Sequence, residues 1–433
     1  MGKSHSRGIQ KTIESVTINH RIFIVGSVWV EPNSSAAGSR MLQLIEFFLS
    51  QKWTVSFGTT AAKNENSLDL KTLGVQEFFL ALNSSSFDDL LKEVDPTMVL
   101  FDRFMMEEQF GWRVSEVCPY AIRILDTEDL HCLRKTRQEA VKKGVDFRKE
   151  DVLLSEIAKR EIASIYRCDA SLIISSFEME LLTDMFGIDA ELLCYVPFFL
   201  ESISEKEQQK WKSFEERHHF ISIGNFLHPP NLDATIQLKK HIWPLIRKQL
   251  PQAELHSYGA YPTQQVAQMH DEKEGFFVHG FVEDAQKVIG ESRVLLAPLR
   301  FGAGIKGKLT DAMLCGTPSV TTPIGAEGMH GNLAWNGFIE SETVLFAEKA
   351  IQLYQEAAIW KAAQQNGVAL VNQMYSRFEG EQALLKKIQL LQMNLEALRA
   401  KNFIGQMLQY HTVKSYKYLG KWIEEKNKHQ SGS

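Results

Sequence analysis

The sequence predicts an α/β fold of two successive Rossmann-like domains with parallel sheets, followed by C-terminal helices. Three observations carry this expectation. Apolar, β-branched runs recur along the chain, each ending in a turn-rich or charged stretch and leading into a helix-spaced segment. The pattern stops at a charged stretch after residue 200 and then begins again, with no strong hairpin signal in either half. Beyond residue 375 the strands give way to a helical stripe.

Taken in order, "RIFIVGSVWV" (21–30) is a strand buried on both faces, and "EPNSSAAGSR" is the loop that carries it into the helix "MLQLIEFFLSQKW". "TVSFGT", "TMVLFDRF" (97–104), "YAIRILDTEDLH" (120–131) and "ASLIISSFEMELL" (170–182) continue the series. Ser175 or Ser176 is placed to cap the helix after the last of them. Residues 201–218 are charged, with an apolar residue only every few positions, as in an interdomain connector. The second series runs through "FISIGNF", the helix "NLDATIQLKKHIWPLIRKQ", "AELHSYGA", "FFVHGFV", "RVLLAPLRF", a helix over 306–315 and "SVTTP". The chain therefore divides into a flexible N-terminus 1–19, a domain 20–200, the connector 201–218, a domain 219–375 and a helical segment 376–433 that packs back on the body. In that segment Leu384, Ile388, Leu391, Leu395 and Leu398 form one helical stripe.

Composition bounds the function. The 433 residues allow two or three domains, and 44% apolar with 23% charged residues is ordinary for a globular chain. A net charge of −5 argues against a general nucleic-acid binder. The five cysteines are widely spaced without a C-x-x-C, which points to a reducing compartment and to no zinc site. The N-terminus has no apolar signal region, "MGKSHS" matches the loose myristoylation pattern only by chance, and no run of about eighteen apolar residues exists. A cytoplasmic location is the expectation. From residue 386 onward nine Lys or Arg face three Glu, with Tyr410, Tyr416, Tyr418 and Trp422 interleaved. That is either a docking helix with solvated lysines or a surface for anionic lipid headgroups, peripheral to the inner membrane.

The stretch "RFGAGIKGKLTDAM" (300–313) carries the chemistry. It is not a P-loop, because Leu309 stands where a magnesium-binding hydroxyl is needed. It is not a dinucleotide fingerprint, because Thr322 stands where the ribose-binding acid belongs. What fits is a diphosphate on the N-terminus of the following helix. Gly302 and Gly304 shape the turn, Lys306 and Lys308 supply charge without a metal, and Asp311 accepts from ribose hydroxyls. A second cluster, "ILDTEDLHCLRKTR", places Asp126, Glu128, Asp129, His131, Arg134 and Arg137 after a strand. Asp126, Glu128 and His131 are its candidate catalytic groups, unless the cluster is only a salt-bridge network. Asp102 and Arg103 end the preceding strand near the same rim, with Arg134 on the acceptor side. In the loop 31–40, Gly38 and Ser39 are placed to approach a phosphate. The histidines His228, His279 and His218–His219 are not spaced like metal ligands.

The segment "LLAPLRFGAGIKGKLTDAMLCGTPSVTTPIGAEGM", with "FISIGNFLHPPNLDA" and "HGFVED" upstream, resembles the C-terminal half of retaining glycosyltransferases of group 1, the family 4 type. The resemblance covers roughly 219–375 and is weaker over the N-terminal half. It implies a GT-B fold, with an acceptor domain facing a nucleotide-sugar donor domain. It also implies transfer of a sugar from a UDP- or GDP-sugar, with retained configuration and no cofactor or metal, in polysaccharide or glycoconjugate assembly. The acceptor would be a glycan or a lipid-linked molecule. Gly224, Asn225 and Ile305 join Gly302, Gly304, Lys306, Lys308 and Asp311 on the donor side, and either His131 or Glu128 takes the catalytic place. The sequence departs from the family where two glutamates eight positions apart are frequent: Ala303 takes the first place and Asp311 the second. Asn225 replaces a frequent arginine, which throws more phosphate neutralisation on Lys306. An epimerase of nucleotide sugars and a non-catalytic protein on the same fold are the alternatives, the latter favoured by Ala303.

Overall fold

A computed structural model describes residues 20–410 and 414–430. The expected flexible segment 1–19 lies outside the described residues. Two fully parallel sheets form the frame. The first contains β1 (Arg21–Gly26), β2 (Thr54–Thr59), β3 (Gln76–Phe79), β4 (Met98–Asp102), β5 (Ile122–Asp126), β6 (Ala170–Ile173) and β7 (Leu193–Tyr195), in the order β3-β2-β1-β4-β5-β6-β7. The second contains β8 (His218–Ile223), β9 (Leu255–Tyr258), β10 (Phe276–Gly280), β11 (Ser292–Ala297), β12 (Ser319–Thr321) and β13 (Gly337–Ile339), in the order β10-β9-β8-β11-β12-β13. The central strands are buried on both faces because helices cover both, so they read as continuous apolar runs; Ile22 through Val25 have no exposed surface. In each sheet the strand order reverses once, between β1 and β4 and between β8 and β11. Ligands of open α/β sheets bind beyond the carboxyl ends of the strands at such a reversal.

The strands that the sequence pattern hides are β3, β7 and β13, all at sheet edges. They are three or four residues long, and the β3 residue Phe79 is 71% exposed, so no continuous apolar run marks them. The helix expected over 231–249 is broken in the middle. Pro229–Gln237 and Trp243–Gln249 are α-helical and Leu238–Ile242 forms a widened turn. Pro244 lacks an N–H and its ring crowds the preceding turn, which a wider turn relieves. Ser175 occupies the N-cap of Ser176–Glu180 without a side-chain capping bond. In the connector, Ser204 and Glu207 cap the short helix Glu205–Gln208 reciprocally.

The long helix Arg377–Lys401 crosses back to the first sheet. At the crossing Leu200 donates its amide to Tyr375 O (2.9 Å) and Arg377 donates to Leu200 O (3.0 Å). Leu384, Ile388 and Leu391 then join Leu44, Phe47 and Phe48 in the core of the first half, and Leu395 and Leu398 pack against its edge. Further on, Arg399 grips Asp169 through two nitrogens at 2.7 and 2.8 Å. The helix Lys414–Gln430 lies against Phe104–Val117, where Lys417 pairs with Glu116 and Arg113 with Glu424. The N-terminal half is therefore closed by residues from the far end of the chain. Leu391→Ala is expected to cost about 2–5 kcal/mol in urea unfolding of that half. Its exposed neighbour Leu390→Ala is expected to stay within roughly 0.5 kcal/mol.

Candidate functional site

The carboxyl ends of both sheets open onto one cavity of about 1450 Å³. Ser27 after β1, Asp102 at the end of β4 and Glu128 after β5 line it from one side. Ile223 and Gly224 at the end of β8 and Leu299 after β11 line it from the other.

On the second-half wall, the helix Gly307–Leu314 begins at the cavity with Lys306 as its N-cap. Its first amides lack intrahelical acceptors and its dipole favours an anion. Lys306 is buried and donates to Gly304 O at 2.7 Å; Lys308 donates to Asn231 Oδ1 at 2.8 Å. Burial lowers both ammonium groups to about 8, because a charged amine loses its water there. Asp311 has no side-chain hydrogen-bond partner among the described residues, and burial raises its carboxyl to about 7. Gly224 is required for a steric reason: a Cβ there would lie 2.7 Å from both Lys308 Nζ and Asn231 Nδ2. Asn225 accepts from Leu227 N through Oδ1 (2.9 Å), which leaves its Nδ2 as a donor. Ile305 lines the wall while packing into the core of the second half.

The first-half wall is acidic and basic in alternation. Two of its residues, Arg103 and Glu128, have left-handed backbones (φ 72° and 61°), a costly conformation for side-chain-bearing residues that is held here by the strand ends. Glu128 is 9% exposed and its Oε1 has no partner. Burial, reinforced by Asp126 and Asp102, pushes its carboxyl well above the usual range despite Arg103 and Arg40. Asp102 Oδ2 accepts from Ser27 N (2.9 Å) and Ser27 Oγ (2.7 Å), and Arg103 also donates to Ser27 Oγ. His131 starts the helix His131–Lys143, with Nε2 3.4 Å from Asp129 Oδ1 and lacking a hydrogen bond. Burial lowers its imidazole to about 4, with Arg134 and Arg103 adding to the effect, so it is neutral. Arg134 holds Asp129 through Nε at 2.6 Å and keeps that carboxyl ionised.

Contacts across the cleft hold these walls together. Arg137 Nη1 and Nη2 each lie 2.7 Å from a Glu327 oxygen, and Nη1 also donates to Gly302 O (2.9 Å). Glu178 Oε1 accepts from Leu130 N (3.0 Å) and Gly304 N (2.8 Å), one from each half. A Cβ on Gly307 would lie 2.6 Å from Ala36 Cβ, so glycine sets the approach of the two helix starts. At the opposite rim Tyr261 donates to Glu31 Oε2 (3.0 Å) and accepts from Asn64.

Two sequence expectations need correction. Asp126 does not reach the cavity: it is fully buried and ion-paired with Arg40, whose Nη2 is 2.8 Å from Oδ1. Gly304 does not line the cavity either, because its amide is taken by Glu178 and its Cα packs on Asp129. Gly38 and Ser39 line the cavity but support the loop. A Cβ at Gly38 would lie 2.2 Å from Glu31 O, and Ser39 Oγ donates to Pro32 O at 2.8 Å. The residues brought together on the cavity are Asp102, Arg103, Glu128, His131 and Arg134 on one side, and Gly224, Asn225, Gly302, Ile305, Lys306, Lys308 and Asp311 on the other. Sequence reasoning missed Asn231 and Glu178. Asn231 stands in a "PPN" helix start, and Glu178 is one of two acids in the short helix "SFEME"; neither pattern distinguishes a site from ordinary capping or solvation.

Residues 217–356 match the family "Glycosyl transferases group 1". No curated protein matches the chain. Among solved structures, TarM of S. aureus, crystallised as a mutant with fondaparinux, α-GlcNAc-glycerol and UDP, superposes with a TM-score of 0.63 at 11% identity, covering 85% of this chain and 99% of that one. HepE of Anabaena, in complex with UDP and glucose, gives 0.61 at 14% identity, with 86% and 100% covered. Sucrose-phosphate synthase of Thermosynechococcus elongatus gives 0.61 at 14%, with 87% and 100% covered. The fold is GT-B, and the part of the second half that matches a glycosyltransferase family is residues 217–356.

The depressed lysines set a pH dependence. A diphosphate on this wall would need Lys306 and Lys308 protonated, and they lose those protons as pH rises through about 8. Calorimetric affinity for UDP is expected to fall between pH 7 and 9 by roughly tenfold for each lysine that must be charged. Lys308→Met is expected to remove half of that dependence on a logarithmic scale.

Proposed function

We propose that this GT-B protein is a retaining glycosyltransferase that takes a sugar from a UDP- or GDP-sugar and places it on an acceptor hydroxyl. The observation that carries this reading is the pairing of two unlike walls across one cavity. One wall has a helix N-terminus, the buried Lys306, the half-buried Lys308 and an Asp311 without a side-chain partner among the described residues; the other has Glu128 and His131, each with an unpaired atom. The match of 217–356 to a glycosyltransferase family and the UDP bound by TarM and HepE support the same assignment.

The diphosphate would rest on the amides at Gly307 and Lys308, with Lys306 and Lys308 gaining full charge as it binds. Asp311 would accept from the ribose hydroxyls. This cationic surround does the work for which a divalent metal would otherwise be needed. The sugar would then lie under Glu128 and His131. As the anomeric carbon–phosphate bond breaks, the acceptor oxygen bonds to that carbon from the same face and its proton passes to the departing diphosphate. Neutral His131 can donate to or accept from a sugar or acceptor hydroxyl, and the raised carboxyl of Glu128 favours its protonated, donating form. Ala303 packs partly into the core of the first half, so the donor sugar meets a methyl group where relatives offer a carboxylate. The acceptor, a glycan or a lipid-linked molecule, would enter along Asp102, Arg103 and Arg134.

The same reading puts the protein in the cytoplasm, peripheral to the inner membrane, and the surface of the C-terminal helices supports it. No helix among the described residues is long and apolar enough to cross a bilayer. Phe403, Ile404, Met407, Tyr410, Tyr418, Leu419 and Trp422 are nevertheless exposed, among the lysines at 401, 417, 421 and 426. Apolar and aromatic side chains interleaved with cations suit a surface of anionic lipid.

The enzyme is tested with a panel of nucleotide sugars, watching donor consumption by NMR. Lys306→Ala and Asp311→Asn are expected to weaken UDP binding tenfold or more. His131→Ala is expected to lower kcat by about 10²–10⁴ with donor affinity kept. Interconversion of donor isomers without acceptor would make the protein an epimerase, and an inert panel would make it a binding protein. In sedimentation with vesicles, binding is expected for anionic lipid and not for zwitterionic lipid, and Tyr418→Glu with Trp422→Glu is expected to abolish it.

A further inference from the structure

Far from the cleft, the second sheet gathers histidines from three strands. His219 is the second residue of β8, Glu254 precedes β9, His256 is the second residue of β9, and His279 lies on β10. These positions are at the amino ends of β8 and β9, whereas the cavity meets β8 at its other end, at Ile223. Four residues of extended chain separate the two places, about 13 Å.

We infer that His219, Glu254 and His256 form a site for one divalent transition-metal ion of the zinc class. Glu254 Oε2 lies 3.1 Å from His219 Nδ1 and 3.1 Å from His256 Nε2, and one ligand atom from each of the three residues falls within 4.8 Å of the others. Ligand atoms about 2.0–2.1 Å from a tetrahedral ion are about 3.3–3.4 Å apart; the two Glu254–histidine separations are within a few tenths of an ångström of that, and the two histidine nitrogens lie within 4.8 Å of each other. Imidazole and carboxylate are the ligands that zinc and its neighbours take.

Two further features prepare the group. His256 Nδ1 is 2.8 Å from His279 Nε2, with the two rings within 1° of parallel. With Nε2 on the ion, Nδ1 keeps its proton and donates to His279, which fixes the tautomer and the ring. The backbone of His219 has φ 62°, an uncommon value in a strand, and its ring lies 4.5 Å from that of His256. Burial lowers both imidazoles, against the opposing pull of Glu254. The side chains of His219 and Glu254 are 44% and 37% exposed, which leaves an entry path and a fourth position for water. Sequence spacing could not reveal the site, because its ligands come from strands 35 residues apart that only the sheet brings together.

The test uses full-length protein without an affinity tag, stripped with chelator and titrated with Zn²⁺ by calorimetry, and with Co²⁺ by visible absorption. One ion per chain is expected, with a rise in Tm on Zn²⁺ addition. His256→Ala and Glu254→Gln are each expected to weaken binding at least tenfold and to remove the Tm rise, and His279→Ala to weaken it about tenfold through the outer hydrogen bond. The exposed His241→Ala is expected to leave binding unchanged. Glu254→Gln keeps the shape of the site, so it decides the matter if His256→Ala does not fold. Absence of saturable Zn²⁺ binding by the parent protein, or binding unaltered in Glu254→Gln, would overturn the assignment.

Discussion

The site depends on one set of contacts across the cleft: Arg137 forked onto Glu327 and the Gly302 carbonyl, beside Glu178 shared between Leu130 N and Gly304 N. The first fixes the loop 302–306 against the helix that His131 begins. The second fixes the same loop against the turn that carries Glu128. Arg137 is almost wholly buried, and removing one partner of such a pair leaves an uncompensated charge worth about 3–5 kcal/mol. The glycines at 304 and 307 belong to the same constraint, since each lies where a Cβ would strike the opposite half.

That closure explains the electrostatics. Two lysines at about 8, an aspartate at about 7 and a histidine at about 4 all shift toward their uncharged forms, and burial is the leading cause in each case. A cavity between two protein walls withholds water from every charge it contains. An anionic ligand would reverse the balance for the lysines, which keep most of their charge below pH 8 and would keep it to higher pH with the ligand bound. Asp129 is the exception, kept ionised by Arg134 directly against it.

The helical tail makes the first half a composite. Its sheet is covered by residues that follow the second half in sequence, and the two crossings are bonded to each other at Leu200 and Tyr375. The halves are therefore joined by a bonded pair of crossings as well as facing across a cleft. The apolar stripe Leu384, Ile388, Leu391 was legible because helical spacing is local; what it would pack against was not.

The same division runs through the site. The amino-acid sequence by itself determined the two parallel sheets, through β-branched runs that need burial on both faces. It also determined the Lys306, Lys308 and Asp311 wall, because a helix N-terminus and its neighbours are set within a few residues. Only the tertiary structure decided which acids face the cavity. Asp126 and Glu128 are two residues apart, yet one is consumed by Arg40 inside the first half and the other is left unpaired by a left-handed turn. Only the sheet made neighbours of His219, Glu254 and His256. Burial and pairing are properties of what approaches from elsewhere in the chain, and no local pattern encodes them.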